Sequence, residues 1–297
     1  MDQLYSKNKT TIVVVTFLSD SIIDKCIENL GNEYKIIVIE NSDRKSFKER
    51  IENKYKNIEC YLMGYDAGYP KAANYGVSLV KSEYVFLINP DTFPVSKCIN
   101  NLEDFADIKK ESPLIFPLTI RENDKVSSDF GYFDGKKIEN INVKEIKIDY
   151  SNGNAIFLRK HFFETQNIFD DNIFLQYDDT ELCWRMKKLN IDIYMLTNAR
   201  VKHLEGKSHE KKFDFELKKE VWWHNGWSHI YLAKKHFSYS KFIIIAFKKL
   251  FLSITKSIIC LILLKKKSSK LYFLNFYGTV CSMINTKSFY RSKINSN

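Results

Sequence analysis

No aspartate or glutamate occurs between residues 221 and 297, although thirteen lysines and arginines do. Residues 1–220 hold 33 basic and 36 acidic side chains, so the formal net charge of +10 belongs to the C-terminal segment. No C-x-x-C pair is present either. The six cysteines, at 26, 60, 98, 183, 260 and 281, are scattered, which removes the spacing of zinc-finger and thioredoxin-like motifs and points to a reducing compartment. Neither G-x-G-x-x-G nor G-x-x-x-x-G-K-[ST] appears, so the sequence gives no support for a dinucleotide-binding Rossmann domain or a P-loop NTPase. The N-terminus, MDQLYSKNKTTIVVVTF, lacks the charged-then-apolar layout of a secretion signal, and the expected location is the cytosol or the cytoplasmic face of the membrane. With 44% hydrophobic and 28% charged residues over 297 positions, disorder and a small disulfide scaffold are both excluded as classes.

What is present is an alternation of strand and helix signals. Residues 11–17 form a β-branched run that reads as a central strand buried on both faces. Ser19 or Asp20 is placed to cap a following helix whose apolar positions Ile22, Ile23, Cys26, Ile27 and Leu30 share a face, and Gly31 stops it. The pattern repeats as a strand over 35–40, a helix around Phe47 and Ile51, a strand over 58–63, a helix over 72–81 and a strand over 84–88. Such alternation predicts a parallel α/β sheet, in which ligands sit at the carboxyl ends of the strands. The residues there are polar: Thr16, then Glu40-Asn41-Ser42, then Asn89-Pro90-Asp91-Thr92.

Several motifs follow one another in a fixed order: VVVTF at 13–17, VIENS at 38–42, GYPKAANYG at 68–76, INPDT at 88–92, FDDNIFLQYDDTELCWR at 169–185 and VKHLEGKS at 201–208. Together they resemble a bacterial family 2 glycosyltransferase of the inverting GT-A type, in particular its rhamnosyltransferase-like branch. The resemblance implies an α/β, Rossmann-like GT-A domain over residues 1–208; the basic region over 209–297 reads from its own residues, set out below, as mainly helical and associated with membrane. It implies transfer of a sugar, with rhamnose from dTDP-rhamnose as a candidate, onto a surface-glycan or lipid-linked acceptor. Asp178 stands where the family has Glu, Glu181 where it has Asp, and Asn154 where it has Ala.

Asp91 is the candidate ligand for Mg²⁺ or Mn²⁺, because a hard divalent cation neutralises a leaving diphosphate; N-P-D-T is also good turn chemistry. His203 is a second candidate ligand or diphosphate contact, and equally an ordinary polar histidine. The donor-binding set implied by the motifs is Thr16, Glu40, Asn41, Lys71, Asn74, Asn89, Asp91, Gly153 and Asn154. Glu40 would accept hydrogen bonds from base or ribose, while a lone acid opening a loop is the commoner role, and Lys71 reads equally as a loop residue at a helix start. Asp179, with Asp178, is the candidate for the base that takes the acceptor proton. Asp178-x-x-Glu181 also reads as a capping box, and Glu181 can pair with Arg185 four residues on.

The segment FIIIAFKKLFLSITKSIICLILL, residues 242–264, is interrupted by Lys248, Lys249 and Lys256. Each lysine at a bilayer centre costs about 2.5–3.5 kcal/mol, which argues against spanning. With Lys241 these lysines fall along one stripe, and Lys265, Lys266, Lys267 and Lys270 follow, so the segment reads as a helix lying on an anionic membrane. The competing reading is a helical bundle packed on the catalytic domain, with Trp222, Trp223 and Trp227 at either kind of interface. A sugar nucleotidyltransferase is the nearest enzymatic alternative, but Phe17-Leu18-Ser19-Asp20 lacks the glycines of its first loop. A noncatalytic nucleic-acid-binding protein is the other; no nucleic-acid motif accompanies the basic tail, and no nucleic-acid partner is expected.

Overall fold

The β-branched run near the N-terminus becomes the centre of the sheet, as a strand with no solvent face must. In the computed structural model, which describes residues 9–138, 140–291 and 294, β1 (Thr10–Thr16) is buried along its whole length. It pairs in parallel with β2 (Lys35–Glu40) on one side and, after the crossover helices α1 (Ile23–Leu30), α2 (Lys45–Lys54) and α3 (Tyr69–Leu79), with β4 (Tyr84–Ile88) on the other. β3 (Ile58–Leu62) adds outside β2, giving four parallel strands in the order β3-β2-β1-β4. Ile12 and Val14 pack under α1 and α2 together with α4 (Cys98–Ile108), whereas Val13 and Val15 face α3. A fully buried aliphatic side chain contributes about 1.5–3 kcal/mol relative to exposure, so this two-sided core holds the first half of the chain.

Beyond β4 the sheet is mixed, where the strand–helix alternation predicts a parallel one. β10 (Ala155–Arg159) runs antiparallel between β4 and β6 (Leu114–Arg121), and β11 (Ile193–His203) is parallel to β6 but antiparallel to β5 (Thr92–Pro94) and β8 (Glu145–Ile148). A two-stranded ribbon of β7 (Phe130–Gly131) and β9 (Tyr150–Ser151) stands beside it. The physical cause is connectivity: the chain passes from β6 to β10 through strands and loops alone, with no crossover helix to return it in parallel. β11 reaches past a register shift after Leu196 to His203, so His203 ends the strand rather than following it. At α1 the expected Ser19 or Asp20 side-chain cap is not formed. The Ser19 hydroxyl is held in its own turn by the Phe17 N–H and carbonyl, and its backbone carbonyl receives the Ile22 and Ile23 N–H groups instead.

The C-terminal region is a three-helix bundle of α6 (Asp214–His236), α7 (Tyr239–Ile262) and α8 (Lys266–Met283) docked on the sheet domain through α6. Ser228 donates to the Leu175 carbonyl at 2.8 Å, Tyr231 to Asp170 at 2.8 Å, and the His224 ring stacks on Phe174. Trp223 and Trp227 are buried inside the bundle and Trp222 packs on Tyr272, so the tryptophans serve packing between helices. No helix among the described residues is long and apolar enough to cross a membrane.

α6 and α8 cross at two glycines. A Cβ on Gly226 would overlap the Asn275 carbonyl oxygen, and one on Gly278 would overlap the Trp223 carbonyl oxygen. Backbone cannot yield as a flexible side chain can, so the steric cost exceeds the ~1 kcal/mol that Ala gains over Gly in a helix. Gly278→Ala is expected to lower stability by about 2 kcal/mol, checked by thermal and urea unfolding; unchanged stability would show that the crossing has slack.

Candidate active site

At the carboxyl ends of β1, β2 and β4 lies a cavity of about 520 Å³. Val15 and Thr16 floor it, Asn41, Asp66 and Gly68 form one side, and Asn89, Gly153 and Asn154 form the other. Phe174 to Gln176 with the start of α5 (Asp178–Lys188) overhang it, and α6 closes it with Leu217 and Glu220. This is where an open α/β sheet is built to hold a ligand.

Of the residues singled out from sequence, Thr16, Asn41, Asn89, Gly153, Asn154, Asp178, Asp179 and His203 line this cavity. Thr16 donates to the Ile39 carbonyl and to Glu40, and the Asn41 amide bridges Asp66 (2.8 Å) and the Ala67 N–H (2.9 Å). Asn154 accepts from Thr119 at 3.1 Å, while its Nδ2 is buried without a partner among the described residues. Asp91 stands directly behind His203, with Oδ1 3.4 Å from His203 Nε2 and no hydrogen bond of its own.

Three other residues lie off the cavity wall. Glu40 is fully buried and gathers Thr16, Ser42 and Arg44, which turns its carboxylate into the protein instead of toward a base or ribose. Asn74 clamps α3 to the Phe169 backbone and Asp171. Lys71 is exposed and faces a neighbouring cavity with Lys234 and Lys287. Gly68, whose φ of 82° suits glycine, admits the Phe174 backbone to the start of α3, so the glycine makes room for protein rather than for ligand.

The acid pair opens α5. Tyr177, not Asp178, is the residue before the helix, and both Gln176 and Tyr177 are left-handed, with φ 68° and 64°. The capping box is therefore not formed: the Tyr177 carbonyl receives the Glu181 N–H, Asp178 lies inside the first turn, and Glu181 turns away to ion partners. Asp179 accepts from the Gly153 N–H at 2.8 Å and from the Thr180 N–H and hydroxyl. The Asp178 carboxyl meets no donor but its own backbone N–H among the described residues. Burial, then the charge of Asp179, push Asp178 up to about 8; burial also raises Asp179, against its three donors. The two titrate as a pair.

The charge balance of the cavity is one-sided. Asp66, Asp178, Asp179 and Glu220 line it, and no lysine or arginine does among the described residues. Burial raises Asp66 as well, against the Gly68 N–H, the charge of Arg291 and the Asn41 amide; Arg291 also acts on Glu220. A cation bound at such walls would offset their repulsion of an anionic ligand. Asp91 Oδ1 and His203 Nδ1 are buried polar atoms without hydrogen-bond partners among the described residues; His203 lines the cavity and Asp91 stands behind it. No group of three or more His, Cys, Asp or Glu side chains is arranged around a metal position among the described residues. The donor set thus fits a hard cation whose remaining ligands are phosphate oxygens and water, and does not form a closed protein cage.

The family model described as Glycosyl transferase family 2 matches residues 11–164, just over half of the chain. The chain belongs to this family. It is similar to Rhamnosyltransferase WbbL of Escherichia coli (strain K12), 22% identical over 250 residues, which covers 75% of this chain and 92% of that protein. Among solved structures, S. aureus TarS 1-349 in complex with UDP aligns over 97% of this chain and 95% of that chain, with a TM-score of 0.53 and 13% identity. GalNAc-T7 with UDP, GalNAc and Mn²⁺ aligns over 65% of this chain but only 43% of its own, also at a TM-score of 0.53 and 13% identity. The mixed α/β sheet is a GT-A glycosyltransferase fold with a helical C-terminal segment appended.

Sequence reasoning on this family 2 chain missed Asp66, Tyr69 and Glu220. Asp66 was within reach, since it follows β3 as Asn41 follows β2. Tyr69, whose hydroxyl is buried without a partner and whose ionisation burial and the acid pair oppose, also lies in a quoted motif. Glu220 had no local signal, because only the docking of α6 brings it to the cavity.

Glu181, fully buried, is bound by Arg185 (2.8 Å), Lys235 (2.7 Å) and His236 (3.3 Å). Burial opposes its ionisation, but hydrogen bonds from His236 and Lys235 and the charge of Arg185 hold it below the usual range. A depressed carboxylate stabilises the fold above its unfolded pKa and loses that contribution as pH falls through its folded value. Glu181→Gln is expected to cost about 3 kcal/mol at pH 7, with the gap to wild type narrowing below pH ~4; urea unfolding at both pH values checks this.

Proposed function

We propose that this family 2 glycosyltransferase moves a sugar from a nucleotide-sugar donor to an acceptor hydroxyl with inversion. The observation that carries this reading is an acidic cavity at the strand ends, lined by His203 with Asp91 behind it and by the proton-holding pair Asp178 and Asp179. A bound Mg²⁺ or Mn²⁺ would neutralise the leaving diphosphate. Asp91, with His203, would hold it; Asn41 and Asn154, whose Nδ2 has no partner among the described residues, would orient the donor; Thr16 closes the floor. The acceptor oxygen bonds to the anomeric carbon as the bond from that carbon to the diphosphate oxygen breaks, and the acceptor proton passes to the pair. Asp178 is the member free to take it, while Asp179, fixed by Gly153 and Thr180, holds the geometry and raises its neighbour's affinity for a proton. This shifts the base role from Asp179, the residue favoured by the motif, to Asp178.

The similarity to a rhamnosyltransferase supports rhamnose from dTDP-rhamnose as the sugar, and the cation-rich C-terminal region supports a surface-glycan or lipid-linked acceptor at the cytoplasmic face of an anionic membrane. The nucleic-acid alternative rests on that tail charge alone, and the acidic cavity gives a polyanion no seat.

Two measurements test the reading. Calorimetry with a panel of dTDP-, UDP- and GDP-sugars, with and without Mn²⁺ or Mg²⁺, is expected to show metal-dependent binding of one donor that Asp91→Ala loses; metal-independent binding kept by the variant would overturn the role of Asp91. Asp178→Asn is expected to lower kcat by about 10²–10⁴-fold with donor binding retained. The wild-type rate is expected to rise as pH passes through about 8, where the acid pair is expected to lose a proton. Removing the like charge in Asp179→Asn moves that limb to lower pH; a limb that stays in place in Asp179→Asn would exclude the pair as the titrating unit.

A further inference from the structure

The helices α7 and α8 distribute their side chains in the reverse of a water-soluble pair. Between them lie small and polar groups. Ser253 donates to Asn275 at 3.0 Å, and Ser257 and Ser269 each donate to the other's backbone carbonyl at 2.9 Å, all of them buried. Small residues also face α6: Ala246 of α7 packs with Ile230 and Ala233, and Gly278 of α8 lies against the Trp223 backbone. Facing outward are Ile244, Phe247, Phe251 (69% exposed), Ile258, Ile262 (74%) and Leu264 (81%). Polar, small interiors with large apolar exteriors are the arrangement that pays off in lipid, where apolar surface needs no burial and polar groups need each other.

The lysine stripe expected to face the membrane is broken up. Lys249 turns inward to the Asn225 carbonyl (3.0 Å) and side chain (2.9 Å), where burial lowers it to about 8, and Lys256 lies over the Tyr272 ring. Lys241, Lys248 and Lys256 stay exposed along α7, and a further cluster of exposed cations, Lys265, Lys266, Lys267 and Lys270, stands at the α7–α8 turn.

We propose that the apolar face of α7, with its turn into α8, inserts into the headgroup–acyl boundary of an anionic bilayer, the turn lysines holding lipid phosphates. This deepens the membrane reading given above and rests on it for the benefit to catalysis, but not for the contact itself. Charge selects the occupant. With no acidic residue in 221–297, a second copy apposed through this face would bring cation to cation with nothing to neutralise it, whereas anionic lipid is complementary. Insertion is interfacial, because no helix among the described residues is long and apolar enough to cross.

The test uses the full chain with vesicles of phosphatidylcholine alone or mixed with phosphatidylglycerol. Phe251→Glu/Ile262→Glu changes exposed positions only, and Lys265→Gln/Lys266→Gln/Lys267→Gln removes charge at the turn. Wild type is expected to co-sediment with the anionic vesicles. The double glutamate variant should lose at least tenfold in binding at low and at moderate salt, and the triple glutamine variant should lose binding chiefly as salt rises. A tryptophan at Phe251 should be quenched by brominated acyl chains. Nucleotide-sugar binding by the double glutamate variant should match wild type, so that a failed membrane proposal and a failed transferase reading give different results. The proposal is overturned by wild type that ignores anionic vesicles, by vesicle binding that the glutamates leave intact, or by a dimer without lipid that the glutamates dissociate.

Discussion

The buried Glu181 carboxylate is the joint on which the site depends. It sits one helical turn from the acid pair and draws Arg185 from its own helix and Lys235 and His236 from α6. Lys235 reaches on to Asp170, and Arg185 to the Asn167 and Ile168 carbonyls, so one carboxylate ties α5, the loop before it and the C-terminal bundle into a single network. A buried charge held by two cations and a histidine is stable only while all remain in place. The orientation of α5, and with it the direction of Asp178 and Asp179, is thereby made dependent on α6. The bundle is part of the site, because the helix that supplies Lys235 also supplies Leu217 and Glu220 to the cavity wall.

The acid pair shows how position rather than composition assigns roles. Two adjacent aspartates share burial and mutual repulsion, yet one accepts three hydrogen bonds and the other only that of its own N–H. The left-handed corner at Gln176 and Tyr177 produces the difference, since it sets the helix start one residue earlier than a capping box would. Asp179 is thereby brought against Gly153, where a Cβ would approach the Asp179 Cβ to 3.0 Å.

Much of the first half of the fold was legible because its signals are local. The β-branched run, the stop at Gly31 and the apolar periodicity of α1 each follow from neighbouring residues, and the polar residues after the strands fall where strand ends must. Glu40 was misplaced for an equally local reason, since Arg44 lies four residues on and Ser42 two, and their combined pull turns the carboxylate inward. The mixed half of the sheet was not legible, because the antiparallel pairing of β10 between β4 and β6 is a contact between segments far apart in sequence. The same holds for His203, whose strand continues past an irregularity that no periodicity announces. In α7, helical spacing put the lysines on one stripe, but the fold turns Lys249 inward, because spacing is silent on which face a neighbour covers.

That last ambiguity was resolved by one polar contact. Lys249 crosses to Asn225 on α6, and Asn225 also meets the Tyr177 hydroxyl, while His229 stacks on the Tyr177 ring. The Lys249 ammonium lies 5.9 Å from that ring, so a cation of the most apolar helix helps fix the residue that turns the chain into Asp178. Desolvating an ammonium is costly and lowers its affinity for a proton, and three rotatable donors on a long stem can recover only part of that loss through Asn225. Turning Lys249 inward fixes the rotation of α7, which sets Phe251, two residues further on and about 200° around the helix, on the opposite face. The apolar exterior of the bundle and the fixed corner before the acid pair are therefore two consequences of the same buried contact.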